Sequence, residues 1–407
     1  MDADIAIVGG GIVGTTATLA LQDAGLSTIL FEPNETGAGT AEGSAAYLHD
    51  GEIFPLPHPS LLPALPRMLL DPQGPLVFRP QYLPRIAGWS ARFLRAMNLG
   101  TYAAGTRALA ALNKLAIGAM LDMVRAANAS ELIVRQGGLK VCSDARSLSV
   151  LEKQLRELER YGIAARILDA ADVHELEPGI AAKIAGGMFF PDSAHCIDVA
   201  ELGKRFAALV RRRGTIVSKR VSALRSSGDG WVVEDVKVSR VLVAAGHASP
   251  LLLEPFGYRV PIAPARGYHL MLRNPGIELR HPVIFAEQHF AATPMRAGLR
   301  LAGTMEFAAA GSAPDMRRAE ILYDLALPYL PGMQKTQTVT WMGVRPLTPD
   351  DLPIIGEAPR HRGLYYSSGH GHLGFTQSAI SARCIADLVT GRTPRLDLKP
   401  FSLARFN

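Results

Sequence analysis

The chain has 407 residues, of which 48% are hydrophobic and 20% charged, and its formal net charge is +6. This composition is typical of a folded protein with a large core and excludes a disordered chain, and the length predicts about two to three domains. We expect neither a membrane span nor a signal peptide, because the sequence has no long apolar run and no basic segment ahead of a hydrophobic one. The three scattered cysteines form neither a disulfide framework nor a metal pattern, which predicts buried thiols in a reducing, cytoplasmic compartment.

The N-terminal residues predict a dinucleotide-binding unit. An apolar strand ends at Val8, and a helix-forming segment runs from residue 12 to residue 24, beginning with Ile12 and Val13. The turn between them has the pattern G-x-G-x-x-G, formed by Gly9, Gly11 and Gly14. In this pattern the first glycine allows a tight turn, the second lets backbone approach a pyrophosphate, and the third lets helix and strand pack closely. The positive end of the helix dipole would then face the phosphates.

The acidic residue that follows the second strand narrows the choice of dinucleotide. The strand from Ser27 to Phe31 ends at Glu32, where a carboxylate accepts hydrogen bonds from the hydroxyls of the adenosine ribose. The same carboxylate would repel a 2′-phosphate, so NADP is disfavoured. NAD and FAD remain.

The next part of the chain is predicted to be a loop, an extended connection and then helices. Residues 33–51 are rich in small residues and predict a loop that can lie against a flat ligand, and nine prolines in residues 54–84 predict an irregular connection. The segment 86–128 predicts a long helical region. Residues 132–142, with Gly137 and Gly138 in the middle, predict a hairpin, and residues 147–161 predict a helix.

The C-terminal half begins with helix 198–213, whose three terminal arginines are followed by Lys219 and Arg220. This basic group favours a solvated helix end over an RNA or membrane contact. A strand that ends in Ala244, Ala245 and Gly246 would again let backbone approach a nucleotide. The remaining predictions are an antiparallel sheet over residues 263–304, a helix at 313–330, a strand at 336–343, and a tail at 363–389 formed by a strand, a glycine-rich turn and a helix.

These elements predict an α/β fold with two domains. The first is a Rossmann-like nucleotide-binding domain with a parallel sheet, and the second is an α+β domain built on a mixed, largely antiparallel sheet. The nucleotide-binding elements lie at both ends and in the middle of the chain, and this scattered order favours FAD over NAD. We assign residues 1–80, 180–256 and 338–407 to the FAD-binding domain, and residues 81–179 and 257–337 to the substrate-binding domain.

Five motifs resemble those of the D-amino-acid oxidase-like family of flavoenzymes, and within it the chain is most similar to bacterial D-amino-acid dehydrogenases. They occupy residues 266–270, 341–350, 353–356, 368–376 and 390–394. The resemblance implies a fold with an FAD domain and a mixed-sheet substrate domain. It also implies FAD contacts at the N-terminal glycines and Glu32, at the adenine through Val221, at the turn Ala245 to Gly246, and beside the flavin ring. The ring contacts implied are His370, Gly371, Leu373 and Gly374.

The sequence departs from the family pattern in the loop after Glu32. The family commonly has T-S-x-x-N there, whereas this chain has Thr40, Ala41, Glu42, Gly43 and Ser44. We keep Thr40 and Ser44 as cofactor contacts. Relatives that bind flavin covalently use a cysteine near the position of Gly343, and because none of the three cysteines lies there, we expect non-covalent FAD.

The chemistry that the resemblance implies is hydride transfer from the Cα of an amino acid to the flavin. A carboxylate anchor calls for the two-pronged guanidinium of arginine, and Arg345 matches the family position. Tyr268 either caps the substrate carboxylate or is an ordinary half-buried tyrosine, and His372 is a candidate polar group toward flavin or substrate. Glu306 either binds the substrate amine or is a surface carboxylate. The histidine spacing gives no metal-ligand set.

Three functions remain open. The leading one is an FAD-dependent dehydrogenase of a D-amino acid or a related imino acid, which passes electrons to a quinone or another redox protein and makes a peripheral contact with the inner membrane. The second is an oxidase of a small amine such as glycine or sarcosine, which releases hydrogen peroxide. The third is an RNA-modifying flavoprotein, which the scattered basic residues and the lack of room for a fused domain disfavour, so we expect no nucleic-acid partner.

Overall fold

The computed structural model describes residues 1–63, 74, 76–181 and 183–406, and within them two large β-sheets are covered by helices. Part of the predicted proline-rich connection, residues 64–73 and 75, lies outside the described residues. The helices are α1 (Ile12–Asp23), α2 (Leu83–Ala96), α3 (Leu99–Ala126), α4 (Ala145–Arg160), α5 (Ala170–Leu176), α6 (Val199–Arg213), α7 (Ser249–Leu253), α8 (Arg317–Ala326) and α9 (Gly374–Val389).

The strands fall into an eight-stranded sheet, a nine-stranded sheet and a small three-stranded sheet. In chain order they are β1 (Ala3–Val8), β2 (Thr28–Phe31), β3 (Tyr47–Leu48), β4 (Leu76–Phe78), β5 (Ile133–Val134), β6 (Gly138–Cys142), β7 (Arg166–Asp169), β8 (Gly186–Phe190), β9 (Ala194–Cys196), β10 (Thr215–Val217), β11 (Leu224–Ser227), β12 (Gly230–Val233), β13 (Val236–Val243), β14 (Ala263–Leu272), β15 (Val283–Phe285), β16 (Phe290–Met295), β17 (Gly298–Phe307), β18 (Thr338–Leu347), β19 (Ile354–Glu357) and β20 (Leu364–Ser368).

The eight-stranded sheet contains the N-terminal strand at its centre. Its order is β10-β2-β1-β13-β12-β11, with β20 beside β13 and β19 beside β20. Strands β10, β2, β1, β13 and β20 run parallel, so their carboxyl ends meet at one edge. Helix α1 begins at that edge and packs against α9 and α6. A parallel sheet of this kind binds ligands at the carboxyl edge of its strands, where the glycine motif lies.

The nine-stranded sheet has the order β18-β14-β17-β16-β15-β6-β8-β7, with β4 beside β17. Its pairs are antiparallel except β15 with β6 and β17 with β4. Buried side chains such as Leu270, Phe285 and Leu301 form the core between this sheet and α8. The predicted fold class, a parallel sheet combined with a mixed, largely antiparallel one, is confirmed.

Several element predictions are corrected by the structure. The prediction of a hairpin at residues 132–142 is wrong. Strand β5 pairs with β9 in the small sheet, whereas β6 pairs with β8 and β15 in the nine-stranded sheet. The glycines between them serve close packing, since a Cβ on Gly138 would lie 2.0 Å from the Tyr47 hydroxyl. The long helical region is two helices, α2 and α3, and the helix predicted at 313–330 is the shorter α8.

The domain boundaries stay a prediction. Three strands lie in segments assigned to one domain but pair within the sheet of the other. The residues of β4, β8 and β18 fall in segments assigned to the FAD-binding domain, yet these strands pair within the nine-stranded sheet. The difference arises because strand pairing with distant segments, which no local pattern encodes, decides the sheet to which a strand belongs. None of the helices in the described residues is long and apolar enough to cross a membrane.

Candidate active site

A cavity of about 580 Å³ lies where the two large sheets meet. The eight-stranded sheet contributes the β1–α1 turn and the ends of β2, β13 and β20, and the nine-stranded sheet contributes parts of β14 and β18. Most of the predicted site residues line it: Gly9, Gly11, Ile12, Val13, Glu32, Thr40, Ser44, Val221, Ala245, Gly246, Gly343, Arg345, His370, Gly371, His372 and Gly374.

The glycine turn needs its glycines for steric reasons. Gly9 has a φ of 106°, and a Cβ at this position would lie 2.5 Å from the carbonyl oxygen of Ala244. A Cβ on Gly14 would lie 1.8 Å from the carbonyl oxygen of Gly9. Gly14 therefore packs α1 against β1 and does not itself line the cavity, which is the role that the motif gives to its third glycine.

Glu32 stands where the second strand ends and faces the cavity. Its Oε2 accepts a hydrogen bond of 2.7 Å from the backbone N–H of Gly10, and its Oε1 accepts one of 2.9 Å from the N–H of Asn34. These backbone donors fix the carboxylate plane. Oε1 also accepts a bond of 3.2 Å from the Asn34 Nδ2, whereas Oε2 keeps a lone pair that can accept a further hydrogen bond from a ribose hydroxyl.

The same end of the cavity contains residues that the sequence reasoning missed. Arg220, Ser222 and His247 line it beside Val221. The prediction that Arg220 belongs to a solvated helix end is wrong, because α6 ends at Arg213 and Arg220 lies beyond β10. Its position next to Val221 was the signal that could have identified it.

The loop formed by residues 40–45 is held by the nine-stranded sheet. Arg300 of β17 is buried, and its Nη1 donates hydrogen bonds of 2.8 Å to the carbonyl oxygens of both Glu42 and Ser44. Burial lowers the pKa of Arg300 to about 10, which leaves the side chain charged at neutral pH. Three further bonds join the loop to this sheet: Thr40 Oγ1 to the Val344 carbonyl (2.8 Å), His269 Nδ1 to the Gly43 carbonyl (3.0 Å) and Thr293 Oγ1 to the Ala45 carbonyl (2.7 Å).

Trp341 packs against the same loop. Its ring stacks on His269 with centroids 5.2 Å apart and an angle of 9° between the planes. A Cβ on Gly43 would lie 2.1 Å from this ring, and a Cβ on Gly343 would lie 2.0 Å from it. Both positions therefore require glycine, and Gly43 lies in the loop between Ala41 and Ser44, the two positions that depart from the family pattern.

The loop formed by residues 370–374 closes the opposite side of the cavity. His370 Nε2 lies 3.0 Å from Ser381 Oγ, and burial lowers the pKa of His370 to about 3, so the ring is neutral. The N–H of Gly371 donates to the carbonyl oxygen of Pro346 at 3.0 Å. Leu373, predicted as a cofactor contact, is not among the lining residues. Its N–H donates to the carbonyl oxygen of His370 and it precedes α9.

Arg345 on β18 carries a positive charge into the cavity. Its Nη1 donates to the carbonyl oxygen of Thr304 at 3.3 Å, and no carboxylate among the described residues lies within 4.0 Å of its guanidinium. Burial lowers its pKa to about 10, so it remains charged at neutral pH. A Cβ on Gly267 would lie 2.3 Å from the guanidinium carbon, so the glycine of β14 makes room for it. A partly buried cation that lacks an anion favours an anionic ligand.

His372 lines the cavity together with Arg345. Burial lowers the pKa of His372. The charge of Glu52 opposes this effect, whereas those of Arg345 and Lys140 add to it. The imidazole is therefore neutral at physiological pH and can donate or accept one hydrogen bond without adding charge. Glu52 itself lies 3.5 Å from the Lys140 Nζ.

Tyr268 and Glu306 are placed differently from the predictions. The Tyr268 hydroxyl donates a hydrogen bond of 2.5 Å to Glu306 Oε2, and Tyr268 is not among the residues that line the cavity. A register shift between Gly267 and Tyr268 on β14 accompanies this arrangement. Glu306 is 0% exposed, so its interpretation as a surface carboxylate is wrong. It is neutralised by Arg79 and Arg266, which lie within ion-pair distance.

The comparison with protein families identifies the family to which a chain with this fold and cavity belongs. The profile of the family described as "FAD dependent oxidoreductase" (DAO) matches residues 4–388. The chain belongs to this family. A protein named D-amino-acid oxidase from Bradyrhizobium diazoefficiens is 31% identical over 421 residues, covering 99% of this chain and 98% of the relative. A protein named D-amino acid dehydrogenase from Methylobacterium sp. (strain 4-46) is 28% identical over 417 residues, covering 99% of both.

The solved structures agree on the fold. Glycine oxidase from Geobacillus kaustophilus superposes with a TM-score of 0.79 at 22% identity, covering 99% of this chain and 98% of that one. L-proline dehydrogenase from P. horikoshii superposes with a TM-score of 0.76 at 16% identity, covering 100% and 98%. The predicted DAO-type fold and the FAD dependence are confirmed.

The residues of this DAO-family chain fit FAD. The glycine turn and Glu32 form the nucleotide end of the cavity, and the loops 40–45 and 370–374 form its other end. Two polar atoms there, Ser367 Oγ and His370 Nδ1, are buried without a hydrogen-bond partner in the described part of the chain. Buried polar atoms require partners, and the hydrogen-bonding groups of a dinucleotide would supply them.

Proposed function

We propose that this DAO-family protein oxidises a D-amino acid or a related imino acid and passes the electrons to an acceptor other than oxygen. The observation that carries the proposal is Arg345, a charged guanidinium that faces the cavity with no carboxylate of the described residues within 4.0 Å. The relatives named D-amino acid dehydrogenase, which match 99% of this chain, support the choice of substrate and acceptor.

In this proposal the chain's residues bind and orient the substrate. The two parallel N–H groups of Arg345 hold the substrate carboxylate, which fixes both its distance and its tilt. Pro346 restricts the backbone beside Arg345, and the bond from Gly371 N–H to the Pro346 carbonyl joins this segment to the 370–374 loop. The substrate Cα is thereby oriented by the protein, which is how positioning lowers the barrier. FAD held by the glycine turn, Glu32 and the two loops would supply the acceptor for the hydride of the Cα, and water would hydrolyse the imine product.

His372 is assigned to a polar contact with the substrate. Its lowered pKa keeps it neutral, so it does not repel a substrate ammonium group and can accept a hydrogen bond from it. Tyr268 is not assigned a substrate contact, because its hydroxyl is bonded to Glu306.

The acceptor in this proposal is a membrane quinone or another redox protein, reached through a peripheral contact on the cytoplasmic side of the inner membrane. The second candidate is an oxidase that passes electrons to oxygen. It is favoured by the 31% identity to the protein named D-amino-acid oxidase.

Turnover by the FAD-loaded protein tests the proposal. The panel contains D- and L-amino acids, both enantiomers of proline and hydroxyproline, glycine and sarcosine, each with an anaerobic dye and with oxygen alone. We expect dye-linked turnover that prefers D-amino or imino acids, with little hydrogen peroxide. Peroxide formation at the dye-linked rate would support the oxidase, and flavin that no member of the panel reduces would overturn the substrate class.

A further inference from the structure

The positive charge of the chain is concentrated in one segment. Residues 72–121 contain six cations and no aspartate or glutamate, so this segment alone accounts for the net charge of +6 and the rest of the chain is balanced. It includes α2 and most of α3. The six cations are Arg79, Arg85, Arg92, Arg95, Arg107 and Lys114.

Helix α2 has one buried face and one exposed apolar face. Ile86 and Trp89 are buried, and the Trp89 indole N–H donates a hydrogen bond of 3.0 Å to the carbonyl oxygen of Leu347 on β18. On the other face, Leu83 and Leu94 are each 50% exposed, with the exposed Ala87 and Ala91 between them at helical spacing. Leu99, three residues after the end of α2 and at the start of α3, is also exposed, at 71%.

The arginines of α2 form a row along one side of this apolar face. At about 100° of rotation per residue, Arg85, Arg92 and Arg95 lie between the exposed leucines and the buried face. Arg85 and Arg95 are exposed and Arg92 is half-buried, and none of them forms an ion pair with a described residue. Arg79, by contrast, is bound to Glu306. The helix contains no carboxylate or amide side chain.

We infer that the exposed face of α2, together with Leu99, is the surface by which this protein docks on an anionic lipid bilayer. Leucines that enter the headgroup boundary, beside arginines that reach lipid phosphates, make an interfacial helix. A lipid surface fits better than an acidic protein face, because the exposed positions of α2 offer aliphatic side chains and cations but none of the aromatic side chains in which protein interfaces are enriched. The inference rests on the proposed function in one respect: docking would serve to deliver electrons to a membrane acceptor.

The position of α2 gives the docking surface a relation to the active site. Its buried face packs against β18, the strand that carries Arg345, through the bond from Trp89 to Leu347. Docking through the opposite face of α2 would therefore place this helix between the bilayer and β18.

Vesicle sedimentation of the FAD-loaded protein tests the inference, with vesicles of phosphatidylcholine alone and vesicles that contain about 30% phosphatidylglycerol, an anionic fraction of the kind that attracts basic segments. The docking variant is Arg85→Gln/Arg92→Gln/Arg95→Gln. The matched control is Arg211→Gln/Arg212→Gln/Arg213→Gln, which removes the same charge from the exposed end of α6. A Leu83→Ser/Leu94→Ser variant tests the apolar part. Flavin absorbance and thermal unfolding verify that each variant is folded.

We expect the wild type and the control to bind the anionic vesicles, and the docking variant to bind them about a hundredfold more weakly, since each of the three arginines near such a surface contributes about fivefold. The leucine variant should also bind more weakly. Equal losses in the docking variant and its control would overturn the inference in favour of overall charge. A wild type that does not sediment with anionic vesicles would overturn it as well, and would leave an acidic redox protein as the occupant of this face. Dye-linked turnover in the absence of vesicles tests the proposed function separately, so the two can fail independently.

Discussion

The two ends of the cavity are built in different ways. The nucleotide end consists mainly of backbone from one sheet, with Gly9, Gly11 and Glu32 within a single βαβ unit. The substrate end consists of side chains from the other sheet, such as Arg345 on β18, and of a loop that is held in place by Arg300 on β17. The residues of the nucleotide end are close together in the sequence, and their arrangement depends on steric fit. The residues of the substrate end come from distant parts of the chain, and their arrangement depends on buried charge. We therefore expect substitutions at the nucleotide end to lower the affinity for FAD, and substitutions at the substrate end to change activity or stability.

The largest effect is expected for Arg345→Ala. Truncation of one partner of a buried charge pair costs about 3–5 kcal/mol, which we expect in kcat/KM. Arg345→Lys keeps the charge but loses the two-pronged geometry, so the rate of flavin reduction should fall together with affinity. Anaerobic flavin reduction by stopped flow at saturating substrate measures both.

The FAD content of both Arg345 variants should stay near that of the wild type, because the residue serves substrate and not cofactor. Arg317→Ala, which removes an exposed arginine that is paired with Asp315, is the control and should reduce its flavin normally. An Arg345→Ala variant that reduces flavin at the ordinary rate and affinity would place the anchor elsewhere, and one that cannot hold FAD would give Arg345 a structural role.

The next effect is a dependence of stability on pH that arises from Asp351, which lies beside the 370–374 loop, since a Cβ on Gly371 would be 3.4 Å from its Oδ1. Burial raises the pKa of Asp351 from 3.8 to about 7. Between about pH 4 and pH 7 the native state holds a proton that the unfolded chain has released, so the stabilisation from protonated Asp351 is lost as the pH rises through this window. Asp351→Asn should therefore gain about 4 kcal/mol relative to the wild type by pH 8 and almost nothing at pH 4.

Asparagine suits this position because Asp351 has a φ of 61°, which asparagine tolerates. Thermal unfolding from pH 4 to pH 8 gives the difference between the two proteins. The exposed Asp324→Asn is the control and should follow the wild type throughout. A difference between Asp351→Asn and wild type that stays constant over this range would contradict the raised pKa.

At the nucleotide end, Glu32→Arg should weaken FAD binding by about 1.5–3 kcal/mol, the contribution of a hydrogen bond to a charged group. Glu35→Arg makes the same change of charge at an exposed position that also lines the cavity, so it separates a general charge effect from a specific contact. Titration of apoprotein with FAD, followed by flavin fluorescence, measures both. If the two variants lost equal affinity, Glu32 would have no specific role at the ribose.

The smallest effect on activity is expected for Tyr268→Phe. Because the hydroxyl bonds to Glu306, its removal should cost about 1.5 kcal/mol of unfolding free energy. The value of kcat/KM should remain within about twofold, since the ring keeps its place in β14. Chemical denaturation and steady-state kinetics measure the two quantities. A large loss of kcat/KM at unchanged stability would restore Tyr268 as a substrate contact.

The difference between the two ends also explains what could be predicted from the sequence. The glycine turn, Glu32 and the α/β class follow from local patterns, because the turn, strand and helix involved are consecutive in the chain. The motif resemblance predicted Arg345 but could not show that no carboxylate in the described part of the chain pairs with its guanidinium. The orientation of Tyr268 was missed because a register shift on β14, which no alternating pattern reveals, accompanies its contact with Glu306. Arg300 was missed because a lone arginine in a strand carries no signal of the carbonyl groups that it binds 256 and 258 residues away.

The bonds between the 40–45 loop and the nine-stranded sheet have a consequence for the lifetime of the loaded enzyme. Four side chains hold this loop at the mouth of the cofactor cavity, three of them from the other sheet. We expect exit of the cofactor past this loop to require these bonds to break together, which is a local opening and not a simple dissociation. Cofactor exchange should therefore be slow at low temperature and accelerate steeply on warming, in the way that unfolding rates do. Storage conditions that preserve the contact between the two sheets would then preserve the yellow colour of the protein.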